Sequence, residues 1–313
     1  MRWDDRTGRR LKPRDLHVFA VVAAQGNMSR AADVLAISRP VVSRTITEME
    51  AMLGVPLFDR SPQGVEPTIY GEALLKRSVA IFDELRQGME DLVALADPTA
   101  GKLRLGFAEV MAAGFGAAVL NRLSLRRPNL ALETVLGDSG MLVQALRERR
   151  CELVLGRVWD DEIVDDLDVE PLFHERLLVV VGQSNPLASR PPPSLADLVD
   201  EPWILSTQEW KPGVPVYEAF AALGCSPPKV RMVTNSINLR TSLLPEGRFI
   251  TVMPSSLLHY GPPRPSLAVL PITLPLWSVP AALISLKHRT LSPMAQQFAA
   301  TVREILVEKP PYT

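Results

Sequence analysis

Residues 27–68 read NMSRAADVLAISRPVVSRTITEMEAMLGVPLFDRSPQGVEPT. This stretch predicts two short helices joined by a tight turn at Ala36-Ile37, followed by a loop that contains Asp59-Arg60-Ser61-Pro62. Ser29 can cap the first helix and Ser38 the second, because a serine hydroxyl accepts a hydrogen bond from the unpaired N–H groups of a first turn. The order of these elements is that of a helix-turn-helix followed by a wing.

The second helix, over residues 39–53, has two chemically different faces when it is projected at about 100° per residue. One face is apolar and comprises Val42, Thr45, Ile46, Met49, Met52 and Leu53. The opposite face comprises Arg39, Pro40, Ser43, Arg44 and Thr47. A helix that packs by one face and presents hydroxyl and guanidinium groups on the other suits a DNA groove, and an ordinary solvated face is the alternative. We therefore predict DNA binding, with Arg39, Ser43 and Arg44 as the main contacts.

Arg60 belongs to the wing predicted over residues 54–67, and Thr68 directly follows it. We expect Arg60 to reach phosphates or a minor groove, where the negative potential attracts arginine. The alternative for Arg60 is a salt bridge to Asp59 or Glu66. Thr68 is expected to cap the next helix, although its hydroxyl can also contact a phosphate.

Helices are predicted on both sides of this motif. An apolar stripe predicts a helix over residues 13–25, which Gly26 is placed to end. A long helix from near Thr68 to about Ala96 carries a heptad-like apolar seam of Leu75, Phe82, Leu85, Met89, Leu92 and Ala96. We expect this seam to form a dimer interface, and packing against the chain's own second domain is the alternative. Residues 97–101 then break the pattern and form a candidate linker.

From residue 102 onward, short apolar runs alternate with helical stretches. Strands are predicted at 103–107, 131–136, 152–157, 176–182, 203–206, 230–233, 248–253, 267–270 and 281–286. Helices are predicted at 115–126, 141–149, 216–223, 237–244 and 293–307. Several strands are continuous apolar runs, as expected of strands covered on both faces. The pattern predicts an α/β region large enough for two lobes.

Composition limits the classes of function. The 313 residues are 47% hydrophobic and 22% charged, with a formal net charge of −1, which argues against a general polyanion binder. Residues 1–70 hold ten Lys and Arg against eight Asp and Glu, which still permits a small DNA-reading head. Cys151 and Cys225 are expected to be reduced core thiols. Because no signal peptide or membrane-spanning run is visible, we expect a cytoplasmic protein with no membrane partner.

The order of winged helix, long helix and two-lobed α/β region resembles the LysR-type transcriptional regulators. The resemblance is carried by Ser29-Arg30-Ala31-Ala32, Ser38-Arg39-Pro40-Val41-Val42-Ser43-Arg44, Glu50, Leu53-Gly54-Val55-Pro56-Leu57-Phe58-Asp59-Arg60 and Pro67-Thr68. Residues 61–71 are similar to the branch that contains regulators of sugar uptake and aromatic-acid catabolism. The family often has Gln where Arg39 stands. Arg suits guanine O6 and N7 whereas Gln suits adenine, so a different base preference is expected.

The resemblance implies an α/β fold with an N-terminal all-α winged helix-turn-helix and an effector domain of two α/β lobes similar to periplasmic binding proteins. The implied domains are a DNA-binding head at 11–68, a linker and dimerisation helix at 69–97, and an effector-binding domain at 98–309. Lobe I is expected at about 102–181 and 281–309, and lobe II at about 182–280. The implied partners are double-stranded promoter DNA, a second copy in a homodimer or homotetramer, and RNA polymerase if the protein is an activator. The implied DNA contacts are Ser29, Arg30, Ser38, Arg39, Pro40, Ser43, Arg44, Thr47 and Arg60.

The resemblance also implies a small-molecule effector between the lobes, either an organic acid or a sugar derivative. The matching positions at strand ends and helix starts are Glu109, Ser139, Arg157, Ser206, Thr207, Asn235 and Ser236. Arg157 suits an anionic effector, unless it pairs with Asp160, Asp161 or Glu162. Ser139 and Ser236 can instead be plain helix caps.

No catalytic residue is identified, so we expect a regulator and not an enzyme, with no cofactor and no metal. Gly114-Phe115-Gly116 only superficially resembles a dinucleotide loop, because Val119 stands at the third glycine position. The four histidines, His17, His174, His259 and His288, lack metal-ligand spacing. The predicted function is a transcription regulator controlled by an effector. The alternatives are a constitutive DNA-binding repressor whose α/β domain only oligomerises, and a small-molecule-binding or catalytic protein with a vestigial head.

Overall fold

In the computed structural model the chain divides into two compact units between Met89 and Glu90. The structure describes residues 10–62, 64–96, 100–157, 165–209, 214–274 and 280–311. The predicted linker at 97–101 lies mostly outside these ranges, and the acidic segment Asp160-Asp161-Glu162 lies entirely outside them.

The head of the first unit contains α1 (Pro13–Gln25), α2 (Met28–Leu35) and α3 (Arg39–Leu53). The predicted bounds of α1 and α3 are confirmed. Gly26 and Gly54 end these two helices with φ values of 59° and 71°. Glycine adopts this left-handed conformation without a Cβ clash, which explains why the helices stop there.

The capping of α2 and α3 differs from the prediction. Asn27, and not Ser29, caps α2, because its Oδ1 accepts hydrogen bonds from the N–H groups of Ser29 (2.8 Å) and Arg30 (3.2 Å). Ser38 directly precedes α3, but within the described head its side chain makes no capping bond. Pro40 has no N–H to offer, and the N–H of Val41 donates to the Ser38 carbonyl oxygen at 3.0 Å. The serine hydroxyl therefore lacks its usual donors.

The wing is a two-stranded antiparallel hairpin. It consists of β1 (Phe58–Ser61) and β2 (Gly64–Pro67), with Phe58 opposite Pro67. A Cβ on Gly64 would lie 2.5 Å from the carbonyl oxygen of Gly26, and Gly64 also has a φ of 148°. Glycine is therefore required where the wing passes close to the end of α1. The core of the head lies beneath and includes Phe19, Val22, Ala31, Ile46, Met49 and Leu57.

The long helix α4 (Ile69–Ala96) has a divided apolar seam. The cap predicted at Thr68 is confirmed, because Thr68 Oγ1 accepts from the N–H of Gly71 at 3.1 Å. Leu75 and Phe82, which were predicted to contact a partner copy, pack partly against the head core of their own chain. The next seam residues, Leu85, Met89 and Leu92, are 55%, 64% and 61% exposed.

The second unit contains two mixed five-stranded sheets. The strands of the first sheet, lobe I, are β3 (Ala100–Phe107), β4 (Asn129–Leu136), β5 (Leu153–Gly156), β6 (Leu167–Phe173) and β12 (Ala281–Leu286). Those of the second sheet, lobe II, are β7 (Leu177–Gly182), β8 (Trp203–Leu205), β9 (Val230–Val233), β10 (Ile250–Pro254) and β11 (Leu267–Val269). The strand order is β4-β3-β5-β12-β6 in the first sheet and β11-β7-β10-β8-β9 in the second.

Helices cover these sheets. They are α5 (Glu109–Met111), α6 (Ala117–Arg126), α7 (Ser139–Arg147), α8 (Pro215–Ala222), α9 (Ile237–Leu243), α10 (Ser255–Tyr260) and α11 (Pro293–Glu308). A π-helical turn, Ala112–Gly116, joins α5 to α6, and short 3-10 turns lie at Pro186–Ala188, Leu195–Leu198 and Leu244–Glu246. None of the described helices is long and apolar enough to cross a membrane.

The predicted boundary between the lobes is wrong, and one strand was not predicted. The predicted boundary at 181/182 cuts off β7 from its sheet, whereas β7 pairs with β10 and β11 of lobe II. The crossover from lobe I lies earlier, between Phe173 and Leu177. The edge strand β6 was missed, because Asp168, Glu170 and Pro171 interrupt its apolar pattern.

The two cysteines have different environments. Both are free, and burial raises the pKa of the Cys151 thiol to about 11. Cys225 is half-buried and packs at the edge of the lobe II core, so its expected place in a core is confirmed in part.

Candidate functional sites: the head and the cleft between the lobes

The outward face of α3 carries most of the predicted DNA contacts. Val42, Ile46 and Met49 are buried in the head, so the opposite side of the helix faces solvent. The predicted contact residues that are exposed are Ser29, Arg30, Ser38, Arg39, Pro40, Arg44, Thr47 and Arg60, while Ser43 is half-buried. The face therefore combines cationic and hydroxyl groups on a rigid helix.

Arg44 pairs along the helix with Glu48. Its Nε donates to Glu48 Oε1 at 2.8 Å, and the two side chains are 80% and 67% exposed. Such an exposed i,i+4 pair contributes little to stability, so a phosphate or a base can replace Glu48 as the partner at small cost.

Arg60 pairs with neither of the acidic residues considered from the sequence. Its Nη2 donates to Glu50 Oε2 at 3.0 Å, and Glu50 lies in the last turn of α3. A salt bridge of Arg60 is therefore present, as the alternative proposed, but its partner is Glu50 and not Asp59 or Glu66. An ion pair across ten residues between a helix and a strand has no periodic signal that sequence reasoning can detect.

The cleft residues lie at the carboxyl ends of parallel strands in each lobe. In lobe I, Glu109, Ser139 and Arg157 follow β3, β4 and β5, which are parallel neighbours. In lobe II, Ser206 follows β8, and Thr234-Asn235-Ser236 follows the parallel strand β9. This edge of an open α/β sheet is where ligands generally bind.

Glu109 joins the two lobes. Its Oε1 accepts from the backbone N–H of Ile237 at 2.9 Å and from the Ser236 hydroxyl at 3.3 Å. Ser236 also caps α9, because its Oγ accepts from the N–H of Leu239. Ser236 therefore has both roles: it caps α9, as the alternative predicted, and it contacts Glu109 across the cleft.

Arg157 is buried, with 8% of its surface exposed, and its Nη2 lies 3.4 Å from Glu175 Oε2. Glu175 lies in the crossover between the lobes, and its oxygens also accept from the Ser255 hydroxyl and from the N–H and hydroxyl of Ser256. Burial lowers the pKa of Arg157, and the charges of Glu175 and Glu209 partly offset that shift. Part of the negative charge predicted for the partner of Arg157 is thus supplied by Glu175 of the protein itself.

The lobe II side has a second buried ion pair. Arg240 Nη1 lies 2.8 Å from Glu209 Oε2, and both residues are almost completely buried. Glu209 Oε2 also accepts from the N–H of Ser206 at 2.6 Å. The Arg240 guanidinium donates to the carbonyl oxygens of Thr234 and Val252, which fixes the loop that begins α9.

Thr207 and Asn235 form a polar rim on lobe II. Asn235 Oδ1 accepts from both the N–H and the hydroxyl of Thr207, at 3.2 and 3.1 Å. Ser139 is half-buried in the first turn of α7, which Asp138 caps through Met141 N–H, so the capping alternative for Ser139 is wrong.

Sequence reasoning missed five residues of this cleft. They are Glu175, Glu209, Arg240, Ser255 and Ser256. Charged residues between two apolar strands, such as Glu175, were the available signal, because a charge in an apolar setting requires a partner.

The glycine motif after β3 serves packing. Gly114 and Gly116 lie in the π-helical turn, and a Cβ on Gly114 would lie 2.8 Å from Leu257 Cα. Among the described residues no group of three or more His, Cys, Asp or Glu could hold a metal ion.

Comparisons with known families agree with this architecture. The family described as "Bacterial regulatory helix-turn-helix protein, lysR family" matches residues 13–72, and "LysR substrate binding domain" matches residues 96–306.

Individual proteins are similar over most of the chain. The HTH-type transcriptional regulator GbpR of Azospirillum brasilense is 28% identical over 295 residues, which cover 94% of this chain and 86% of that protein. The regulator PcaQ of Agrobacterium fabrum is 27% identical over 264 residues, covering 84% and 85%. Full-length CbnR complexed with its target DNA shares the fold, with a TM-score of 0.64, 22% identity, and coverage of 94% of this chain and 99% of that one. Because one family match covers more than half of the residues, the chain belongs to the LysR family of bacterial regulatory helix-turn-helix proteins.

Proposed function

We propose that this regulator binds promoter DNA as a dimer through α3 and the wing, under the control of a small molecule bound between its two lobes. The observation that best supports DNA binding is that α3 has one buried face and one exposed face. Val42, Ile46 and Met49 are buried in the head, and the side that bears the arginines faces solvent. The two family matches, over residues 13–72 and 96–306, support a DNA-binding head and a ligand-binding domain in one chain.

The contacts divide by chemistry. We assign base contacts to Arg39, Ser43, Arg44 and Thr47, because α3 presents them together. Ser29 and Arg30 at the start of α2, Ser38 and Pro40 at the start of α3, and Arg60 on the wing are assigned to the phosphate backbone.

Arg44→Ala tests the assigned face. The full chain is titrated with a fluorescent duplex from the DNA upstream of its own gene, at several salt concentrations. We expect a loss of about 1–3 kcal/mol in binding free energy, because a lost arginine contact is not replaced. Arg150→Ala is the matched control, since Arg150 is also exposed and paired with a glutamate, but lies in the effector domain. Undiminished binding by Arg44→Ala would reject this face.

Dimerisation is assigned to the exposed part of α4. Leu85, Met89 and Leu92 present a contiguous apolar seam to solvent in a single chain, and burying it removes apolar surface from water. Two such dimers in a tetramer would place four heads on paired half-sites. We further propose that the protein works in the bacterial cytoplasm and, if it activates, contacts RNA polymerase.

The effector site is assigned to the cleft edge that carries Glu109, Ser139, Arg157, Ser206, Thr207, Asn235 and Ser236. Glu109 already forms hydrogen bonds across this cleft, so a ligand that replaces them would change the relative orientation of the lobes. Such a ligand shifts the equilibrium only if it binds one arrangement more tightly than the other.

Charge balance favours a sugar derivative over an organic acid. Arg157 and Arg240 each face a buried carboxylate, and Glu109 adds a further negative charge at the cleft. An anion would compete with Glu175 for Arg157, whereas ligand hydroxyl groups can donate to the Glu109 carboxylate and to the Thr207 hydroxyl oxygen.

A ligand panel tests this assignment. Thermal unfolding of the full chain is compared with neutral sugars and with aliphatic and aromatic acids, and we expect stabilisation by a sugar. Stabilisation by acids alone would reject the charge argument. No shift by any compound, together with unchanged DNA binding, would favour the constitutive repressor.

A further inference from the structure

Glu50 lies where α3 meets the base of the wing and contacts both. Its Oε1 accepts from the backbone N–H groups of Leu57 (2.9 Å) and Phe58 (3.2 Å). Its Oε2 accepts from Arg60 Nη2 at 3.0 Å. One carboxylate on α3 therefore holds the start of the wing, from Leu57 to Arg60, at three points.

The two backbone groups that hold Glu50 are themselves fixed. Leu57 and Phe58 are 1% and 4% exposed, and the Phe58 ring packs 5.2 Å from that of Phe19 on α1. The Leu57 carbonyl oxygen accepts from Thr68 N–H at the start of α4. The Glu50 carboxylate is thus held between packed elements and can orient a long, exposed side chain.

Arg60 is that long, exposed side chain. It is 45% exposed whereas Glu50 is 19% exposed. A free arginine loses rotamer entropy when it docks on a phosphate, and a partner that already holds it lowers that cost. Glu50 takes a hydrogen bond from one of the five guanidinium N–H donors, which leaves other donors for phosphate oxygens.

We propose that Glu50 is a positioning residue for DNA binding, which fixes the Arg60 guanidinium relative to the reading face of α3. The proposal rests on the proposed DNA-binding function. Its consequence runs against simple electrostatics, because removing a negative charge near DNA ordinarily strengthens binding. Glu50→Gln is instead expected to weaken it.

The test is a double-mutant cycle on the full chain. Glu50→Gln, Arg60→Ala and the double variant are titrated with the duplex upstream of the gene and with a mixed-sequence duplex, over a range of salt concentrations. Arg60→Ala should weaken binding about tenfold and lower the salt slope by about one, as expected for a lost phosphate contact. Glu50→Gln should weaken binding several-fold, and the double variant should bind no worse than Arg60→Ala.

Asp59→Asn is the matched control. Asp59 is an exposed acid next to Arg60 on β1, but successive side chains of a strand point to opposite faces. We expect this variant to bind DNA slightly more tightly and to act additively with Arg60→Ala.

The outcomes are distinguishable. Tighter binding by Glu50→Gln, additivity with Arg60→Ala, or no effect of Arg60→Ala would overturn the positioning role while leaving DNA binding intact. Failure of the wild-type chain to bind either duplex would overturn the proposed function itself. If Glu50→Gln does not fold, Arg60→Lys tests the proposal instead, because lysine keeps the positive charge but lacks the forked N–H donors of the guanidinium group. Wild-type affinity of Arg60→Lys would reject a role for geometry.

Discussion

At the scale of residues, Arg157 and Glu175 form a buried pair between the lobes. Glu175→Ala removes the carboxylate and leaves Arg157 buried without that counter-charge, so we expect a loss of about 3–5 kcal/mol in the free energy of unfolding. Arg303→Ala breaks an exposed pair with Glu170 and should cost less than about 1 kcal/mol. Urea unfolding followed by circular dichroism measures both. Equal losses in the free energy of unfolding for the two variants would show that burial does not make the Arg157–Glu175 pair more stabilising than an exposed pair.

At the scale of elements, α4 has two roles along one apolar seam. Its first part packs on the head, and the exposed part around Leu85 and Met89 is available for a second copy. The double substitution of Leu85 and Met89 to Asp should convert the dimer to a monomer, because it places two unpaired carboxylates in the seam. Sedimentation equilibrium measures the change. Leu125→Asp, at a residue that is 78% exposed on α6, is the control, and a monomer caused by it alone would move the interface to lobe I.

At the scale of the whole molecule, local signals were predictable and long-range contacts were not. The bounds of α1 and α3 follow from an apolar period closed by Gly26 and Gly54. The pairs Glu50–Arg60 and Arg157–Glu175 join residues that the fold brings together, and no spacing rule identifies them. The edge strand β6 was missed for a related reason, since its pairing with β12 bridges more than a hundred residues. The strand ends that carry the candidate effector residues were therefore predictable, but the buried carboxylates beside them were not.

Glu109 accepts a hydrogen bond from the first turn of α9, and this contact between the lobes can be measured. Glu109→Ala removes the acceptor of the Ile237 N–H, and a hydrogen bond to a charged group contributes about 1.5 kcal/mol. We therefore expect about tenfold faster hydrogen exchange in the first turn of α9, read by mass spectrometry of the full chain. Glu133→Ala, which removes an exposed carboxylate paired with Lys102 within lobe I, should leave that turn unchanged. If exchange there is as slow in Glu109→Ala as in the wild type, the lobes are held by other contacts, and a ligand need not displace Glu109 to move them.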